Sequence, residues 1–217
     1  MIKAIIFDMD GVLVDTEPLN DIHLVKYLER LGIKAPETIG ERFRGSSSKV
    51  IWETLKEEYQ LEKTLEELIT DGRESYINFL KTSKDLKAVP GAVELVKELS
   101  RLKLKLAVAS SASQKRVSTL IKIIKLHKHF PIIVSSDDVK NGKPAPDIFL
   151  RAAQKLNTAP VHCLVIEDST HGINAAKAAG MKCIGFAGLP YNKQDLEKAD
   201  IIIRDFKEIS FEKLQSI

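Results

Sequence analysis

From Val89-Pro90-Gly91 onward, short apolar runs alternate with amphipathic stretches, and that alternation limits the fold more than any other feature of the chain. Residues 104–109, 131–134, 162–166, 182–186 and 201–203 read as strands rich in Val, Ile and Leu. Helical patterns fill 91–102, 113–124, 146–156, 170–179, a short piece near 193–198, and the stretch after Ser210. Strands that are apolar throughout and separated by helices pair in parallel, with helices covering both sheet faces. The run Ile5-Ile6-Phe7 supplies a further strand at the N-terminus. The expected core is therefore α/β, a doubly wound parallel sheet of Rossmann-like type.

The stretch between the first strand and Val89 breaks this pattern. Leu19, Ile22, Leu24, Val25, Leu28 and Leu31 share one face of a helix at 17–31, closed by Gly32. A second helix at 48–59 carries Val50, Ile51, Leu55 and Tyr59 as its apolar side. A third, at 64–82, carries Leu65, Leu68, Ile69, Tyr76, Phe79 and Leu80. No convincing strand lies between them. The domain reading is a core of residues 1–15 and 86–217, with a small helical domain inserted at 16–85. Because the insert enters at the C-terminal end of the first strand, it is expected to act as a lid.

Composition narrows the class. The chain has 217 residues, 44% hydrophobic and 29% charged, which suits a soluble globular protein. A net charge of +3 is too mild for the basic stripe of a nucleic-acid binder. No apolar run approaches the roughly 20 residues of a membrane helix. The start, Met1-Ile2-Lys3, lacks the pattern of a signal peptide. Cys163 and Cys183 each lie inside an apolar run and read as buried thiols. The expected setting is the cytoplasm, with no nucleic acid and no membrane partner. Oligomeric state stays open, with a monomer favoured.

Four positions follow strands: Asp8 and Asp10, Ser110, Lys143 within Gly142-Lys143-Pro144-Ala145-Pro146-Asp147, and Glu167-Asp168. Parallel strands bring such positions to one sheet edge. Each has a plainer reading by itself: Asp-x-Asp-Gly as a turn, Ser110 as a helix cap, with Ser113 as the alternative, Lys143 as a solvated lysine, and Glu167-Asp168 as acids at a helix start. Gathered together, the four carboxylates repel one another. A divalent cation resolves this, and magnesium prefers one or two carboxylates with water and phosphate oxygens. Asp8, Asp168 and a backbone carbonyl at Asp10 offer such oxygens, with Glu167 reaching the metal through water. Ser110 and Lys143 then suit the remaining oxygens of a phosphoryl group. On this reading Asp8 is the nucleophile and Asp10 the general acid and base.

The same residues resemble the haloacid dehalogenase superfamily, in the subgroup with a helical cap after the first motif. The matching motifs run in order: Asp8-Met9-Asp10-Gly11-Val12-Leu13-Val14-Asp15-Thr16, Ser110, Lys143-Pro144-Ala145-Pro146-Asp147 and Glu167-Asp168-Ser169-Thr170-His171-Gly172-Ile173. Asp10 distinguishes phosphate chemistry from dehalogenation within that superfamily. The segment after Asp15 resembles the β-phosphoglucomutase-like group, which also contains sugar-phosphate phosphatases. The resemblance implies a Mg2+-dependent phosphatase acting on a small phosphorylated metabolite, a sugar or polyol phosphate. Gly11, Thr16, Asn20, Arg44, Gly45 and Ser111 are the candidates for substrate contact. His171 is a weaker candidate for the pocket, and Trp52 and Tyr76 are expected in the core of the cap.

Two alternatives stand beside the phosphatase. A mutase of the β-phosphoglucomutase type would use the same Asp8 and Asp10. That pattern carries a histidine where Asn20 stands and an arginine where Ser48 aligns. A phospho-accepting signalling switch also gathers acids, a hydroxyl and a lysine at a sheet edge. Such a switch needs a long-lived aspartyl-phosphate, which Asp10 is placed to hydrolyse, and has no use for an insert of about 70 residues.

Overall fold

The computed structural model describes residues 1–43 and 48–216. The chain divides into two compact units, Met1–Asp15 with Lys87–Ile217, and Thr16–Leu86. Among the described residues no helix is long and apolar enough to cross a membrane.

The first unit is built on a six-stranded sheet. In chain order its elements are β1 (Ala4–Phe7), β2 (Val14–Asp15), β3 (Lys87–Ala88), α4 (Ala92–Arg101), β4 (Lys105–Ala109), α5 (Gln114–Ile123), β5 (Ile132–Val134), α6 (Asp147–Lys155), β6 (Cys163–Glu167), α7 (Thr170–Ala178), β7 (Lys182–Phe186), β8 (Ile201–Ile203) and α8 (Phe211–Ser216). The helices that fall between β2 and β3 belong to the second unit. The sheet order is β5-β4-β1-β6-β7-β8, and every pair in it is parallel. The chain thus builds outward from β1 to β4 and β5, then returns to the other side of β1 for β6. That reversal places a crevice at the C-terminal ends of β4, β1 and β6, where open α/β sheets bind ligands.

Sequence alternation decides the two faces. Ala4 and Ile6 of β1, with Ala107, Ala109, Cys163 and Val165, join Phe149 and Ala152 of α6 and Ile173 and Ala176 of α7 in one buried cluster. Phe7, one residue out of phase, meets the ring of Phe130 edge-on at 5.6 Å. Both faces of β1 are closed to water, which is why its residues are apolar throughout.

The structure departs from the sequence reading in several places. Residues 193–196 are irregular and 197–198 form a turn, so no helix forms at 193–198. The side chains of Asn192 and Asp195 accept the backbone N–H groups of Gln194 and Glu197 at 2.9 and 3.0 Å, and such local bonds compete with helix formation. Residues Glu37–Phe43 form a 3-10 helix. Val14–Asp15 and Lys87–Ala88 pair antiparallel, so a two-stranded ribbon flanks the points where the chain leaves the sheet unit and returns.

The second unit holds α1 (Glu17–Arg30), α2 (Ser48–Tyr59) and α3 (Leu65–Thr82). Tyr27, Leu28, Ile39, Phe43, Trp52, Leu55 and Leu68 form its core. Val50, expected on the apolar side of α2, is 48% exposed, while Trp52 and Leu55 face inward. A Thr64–Glu67 capping box starts α3. Gly72 sits inside α3 because a Cβ there would lie 2.8 Å from the indole of Trp52.

Candidate active site

Asp8 follows β1 directly, and its N–H donates to Ile166 O at 2.9 Å. This bond continues the β1–β6 ladder one step and leaves the Asp8 carboxylate at the strand end, buried. Lys143 arrives from the loop between β5 and α6. Its Nζ donates to Asp8 Oδ1 at 2.5 Å, Glu167 Oε1 at 2.7 Å and Ala109 O at 3.3 Å. One ammonium group therefore joins the ends of β1, β4 and β6. The Lys143 side chain is 6% exposed and also faces the ring of Phe149 at 4.9 Å.

Glu167 is held from both sides. Its second oxygen accepts the N–H and the hydroxyl of Ser169 at 2.8 and 2.9 Å. The Ser169 hydroxyl in turn accepts the Gly172 N–H at 3.0 Å and caps α7. A Cβ on Gly172 would overlap the Glu167 carboxyl at 1.7 Å. The glycine in Asp168-Ser169-Thr170-His171-Gly172 is thus the space that Glu167 occupies. His171 itself is exposed.

Gly11 serves a similar end. Its φ of +83° turns the chain after Asp10, and a Cβ on it would stand 2.0 Å from Asp168 Oδ2. The turn is closed by Gly11 N–H to Val14 O at 2.8 Å and Leu13 N–H to Met9 O at 2.9 Å. Asp10 is half-buried, and Oδ1 accepts Nη2 of Arg116 at 2.7 Å. Ser110 is buried at the end of β4, where its hydroxyl accepts the Ala112 N–H at 3.1 Å. Ser111 beside it is exposed. Ser113 occupies the N-cap position of α5 without a side-chain cap bond; Asp137 instead accepts the Gln114 N–H at 2.8 Å.

The structure thus brings Asp8, Asp10, Gly11, Ser110, Lys143, Glu167 and Asp168 to one sheet edge. Thr16 and Asn20 belong to the helical unit. Thr16 is buried there, and its carbonyl accepts the Asn20 N–H at 2.9 Å and the Tyr76 hydroxyl at 3.4 Å. Arg44 and Gly45 lie outside the described residues. Cys163 and Cys183 are free and buried.

Three partners were not anticipated from sequence. Arg116 on Asp10 is one. Asn192 donates to Asp168 O at 2.8 Å and Asp168 Oδ2 at 3.4 Å. Tyr191 donates its phenol to Asp15. Arg116 had a local signal: α5 opens on Gln114-Lys115-Arg116, with no acid in its first turn, an arrangement opposed to the helix dipole.

Electrostatics mark the site as short of positive charge. Burial, reinforced by Glu167 and Asp10 and opposed by Lys143, raises the Asp8 carboxyl to about 7. Burial, then Glu167 and Asp8, raises Asp168 well above the usual carboxylate range. Lys143 is pushed upward by Asp8 and Glu167 against the effect of its own burial. Among the described residues, Lys143 meets Asp8 and Glu167, Arg116 meets Asp10, and the amide of Asn192 meets Asp168. A divalent cation would relieve the repulsion among these carboxylates. Among the described residues no three His, Cys, Asp or Glu side chains form a ready metal cage. The donors gathered at this edge are carboxylate oxygens, the hard ligands of which magnesium takes one or two while keeping its waters.

The description "Haloacid dehalogenase-like hydrolase" belongs to a family model that matches residues 5–186. The chain belongs to that family of enzymes. The phosphorylated carbohydrates phosphatase of Thermotoga maritima is 35% identical over 182 residues, covering 84% of this chain and 83% of that one. The β-phosphoglucomutase of Bacillus subtilis is 30% identical over 219 residues, covering 98% and 93%. A bifunctional riboflavin kinase/FMN phosphatase of Arabidopsis thaliana is 34% identical over 97% of this chain, which spans 55% of that longer protein. Among solved structures, CbbY from Rhodobacter sphaeroides in complex with phosphate superposes with a TM-score of 0.82 at 26% identity, covering 96% of each chain.

Proposed function

We propose that the protein is a magnesium-dependent phosphatase that hydrolyses a small phosphorylated metabolite, a sugar or polyol phosphate, through an aspartyl-phosphate on Asp8. The observation that carries this reading is the Lys143 ammonium group, bonded at once to Asp8 and Glu167 at the strand ends. It gives the nucleophile a cationic partner that can also take a phosphoryl oxygen.

Asp8 attacks phosphorus through a carboxylate oxygen, and the bond from phosphorus to the ester oxygen breaks. Asp10 gives its proton to the departing alkoxide, which leaves as an alcohol. Asp10, now a carboxylate, takes a proton from water. That water attacks the same phosphorus, the bond to Asp8 breaks, and inorganic phosphate leaves with Asp8 restored. Ser110 donates to a phosphoryl oxygen, and Lys143 neutralises charge on the others. Arg116 orients Asp10 between its two tasks.

Asp8, Asp168 and the backbone carbonyl of Asp10 would hold the magnesium ion, with Glu167 behind them through water. When bound, the ion offsets the repulsion between carboxylate and phosphate. Glu167 also acts on the reaction by fixing Lys143. Thr16, Asn20, Arg44, Gly45 and Ser111 are the proposed substrate contacts, and Gly11 lets the backbone approach the phosphoryl group. The free buried thiols suit work in the reducing cytoplasm.

Similarity to β-phosphoglucomutase over 98% of the chain favours one second reading, return of the phosphoryl group to a sugar hydroxyl. One experiment separates the two: phosphate release from a panel of sugar and polyol phosphates with magnesium, beside conversion of β-glucose 1-phosphate to glucose 6-phosphate. Release should dominate and disappear with a chelator. Dominant isomerisation would replace the phosphatase by the mutase, and no release from any ester would overturn the proposal.

A further inference from the structure

Asp168 contributes a carboxylate to a place already crowded with negative charge, and among the described residues its direct hydrogen-bond partner is an amide. The loop from β7 to β8 supplies it through Asn192. The orientation of this amide is settled by its own bonds. Its Oδ1 accepts the Gln194 N–H at 2.9 Å, so its Nδ2 points the other way, to Asp168 O at 2.8 Å and Oδ2 at 3.4 Å. Gly11 also lies against this carboxylate, since a Cβ on it would stand 2.0 Å from Asp168 Oδ2. The Asp168 side chain therefore meets both a glycine and an amide.

The choice of an amide has a physical consequence. Lys143 holds Asp8 with a full positive charge. A cation beside Asp168 would compete with a metal ion for the carboxylate. Asn192 fixes direction and leaves the negative charge intact, as groups behind metal-ligating side chains do.

We propose that Asn192 is a positioning residue that aims the Asp168 carboxylate at the divalent cation, an inference that rests on the metal-dependent reading above. The same loop carries a second tie that does not touch Asp168. Gln194 Oε1 accepts the Thr170 N–H at 3.3 Å, and the Thr170 hydroxyl donates to Asp195 O at 2.9 Å. These bonds pin the loop to the start of α7 and give the proposal its control.

The test is Mn2+ binding to the whole protein without substrate, followed by calorimetry and by the electron-spin signal of free Mn2+. Asn192→Ala should bind Mn2+ about 10- to 100-fold more weakly than the native chain. Gln194→Ala should bind within about twofold, on the same principle that only groups behind a ligand tune it. Thermal unfolding without metal checks that both variants are folded; Asn192→Leu takes the place of Asn192→Ala should the latter fail. Equal affinity of the native and Asn192 variants would overturn the proposal. So would an equal loss in Gln194→Ala, which would make Asn192 a loop anchor and no more. If the native chain itself binds no Mn2+, the metal-dependent reading fails first.

Discussion

Each of the two units buries an ionisable side chain, and burial pushes the two in opposite directions. In the sheet unit, burial raises Asp8 to about 7. In the helical unit, burial, helped by Arg30, lowers His23 to about 4. His23 is packed among the rings of Tyr27, Tyr76 and Phe79, with centroids 5.0 to 5.9 Å away, and its Nε2 meets Ser75 Oγ at 2.9 Å. The physical cause is one, the expense of a charge away from water. The consequences oppose each other.

The signs follow from proton binding. Between 3.8 and about 7 the folded state holds a proton on Asp8 that the unfolded chain has lost, so this group's contribution falls as pH rises. Between 6.5 and about 4 the unfolded chain protonates His23 and the folded chain does not, so stability falls as pH falls. The difference teaches what each burial is for. The helical unit buries a neutral imidazole as part of a packed aromatic cluster. The sheet unit gathers carboxylates that repel one another, a cost that structure alone does not require and that an incoming cation would relieve.

The contrast can be broken at its strongest point first. Asp8→Asn should reduce phosphate release by about 10^4-fold or more, as loss of a nucleophile does, and should lessen the fall in stability as pH rises from 3.8 to about 7. Full turnover in this variant would end the covalent mechanism. Lys143→Met keeps the volume but leaves Asp8 and Glu167 buried without their cation. It should cost about 3–5 kcal/mol in denaturant unfolding of the sheet unit followed by circular dichroism. A loss under about 1 kcal/mol would mean that the ammonium bridge is no anchor.

The helical unit sharpens the other side, and its single tryptophan, Trp52, reports on it alone. The acid loss due to His23 between pH 6.5 and 4, read as the difference between the native chain and His23→Phe in Trp52 emission, should be about 3 kcal/mol. His23→Phe should abolish that acid sensitivity while keeping the ring contacts, and a persisting slope would assign it elsewhere. The smallest effect is expected from Gly72→Ala. The added methyl would meet the Trp52 ring, which cannot swing aside cheaply in a packed core. After the gain in helix propensity, a net loss of about 1 kcal/mol with a changed Trp52 emission is expected. Unchanged emission with a gain in stability would show slack around the indole.

Much of the site was legible because strand ends are legible. Asp8, Ser110 and Glu167 each stand where an apolar run stops, and parallel pairing carries such ends to one edge. Lys143 was readable from its motif, although its reach to two carboxylates was not. Arg116 and Asn192 escaped because their partners lie 106 and 24 residues away, and a polar residue in a helix or loop resembles any solvated one. The helix expected at 193–198 failed for a related reason. Periodicity does not show that Asn192 and Asp195 turn their side chains onto the backbone. The β2–β3 ribbon, two residues on each side, is too short to leave a pattern.

The alternation of apolar runs by itself determined a parallel sheet with an inserted helical stretch, because burial on both faces demands apolar strands. Gly11 already marked where the chain had to turn, while Gly172 fell inside a stretch read as helix. Only the tertiary structure decided what those glycines make room for: Gly11 the carboxylate of Asp168, and Gly172 that of Glu167. Spacing along a chain specifies which residues share an element. The distance between a missing Cβ and a carboxylate from another element exists only once the sheet order has brought the two together.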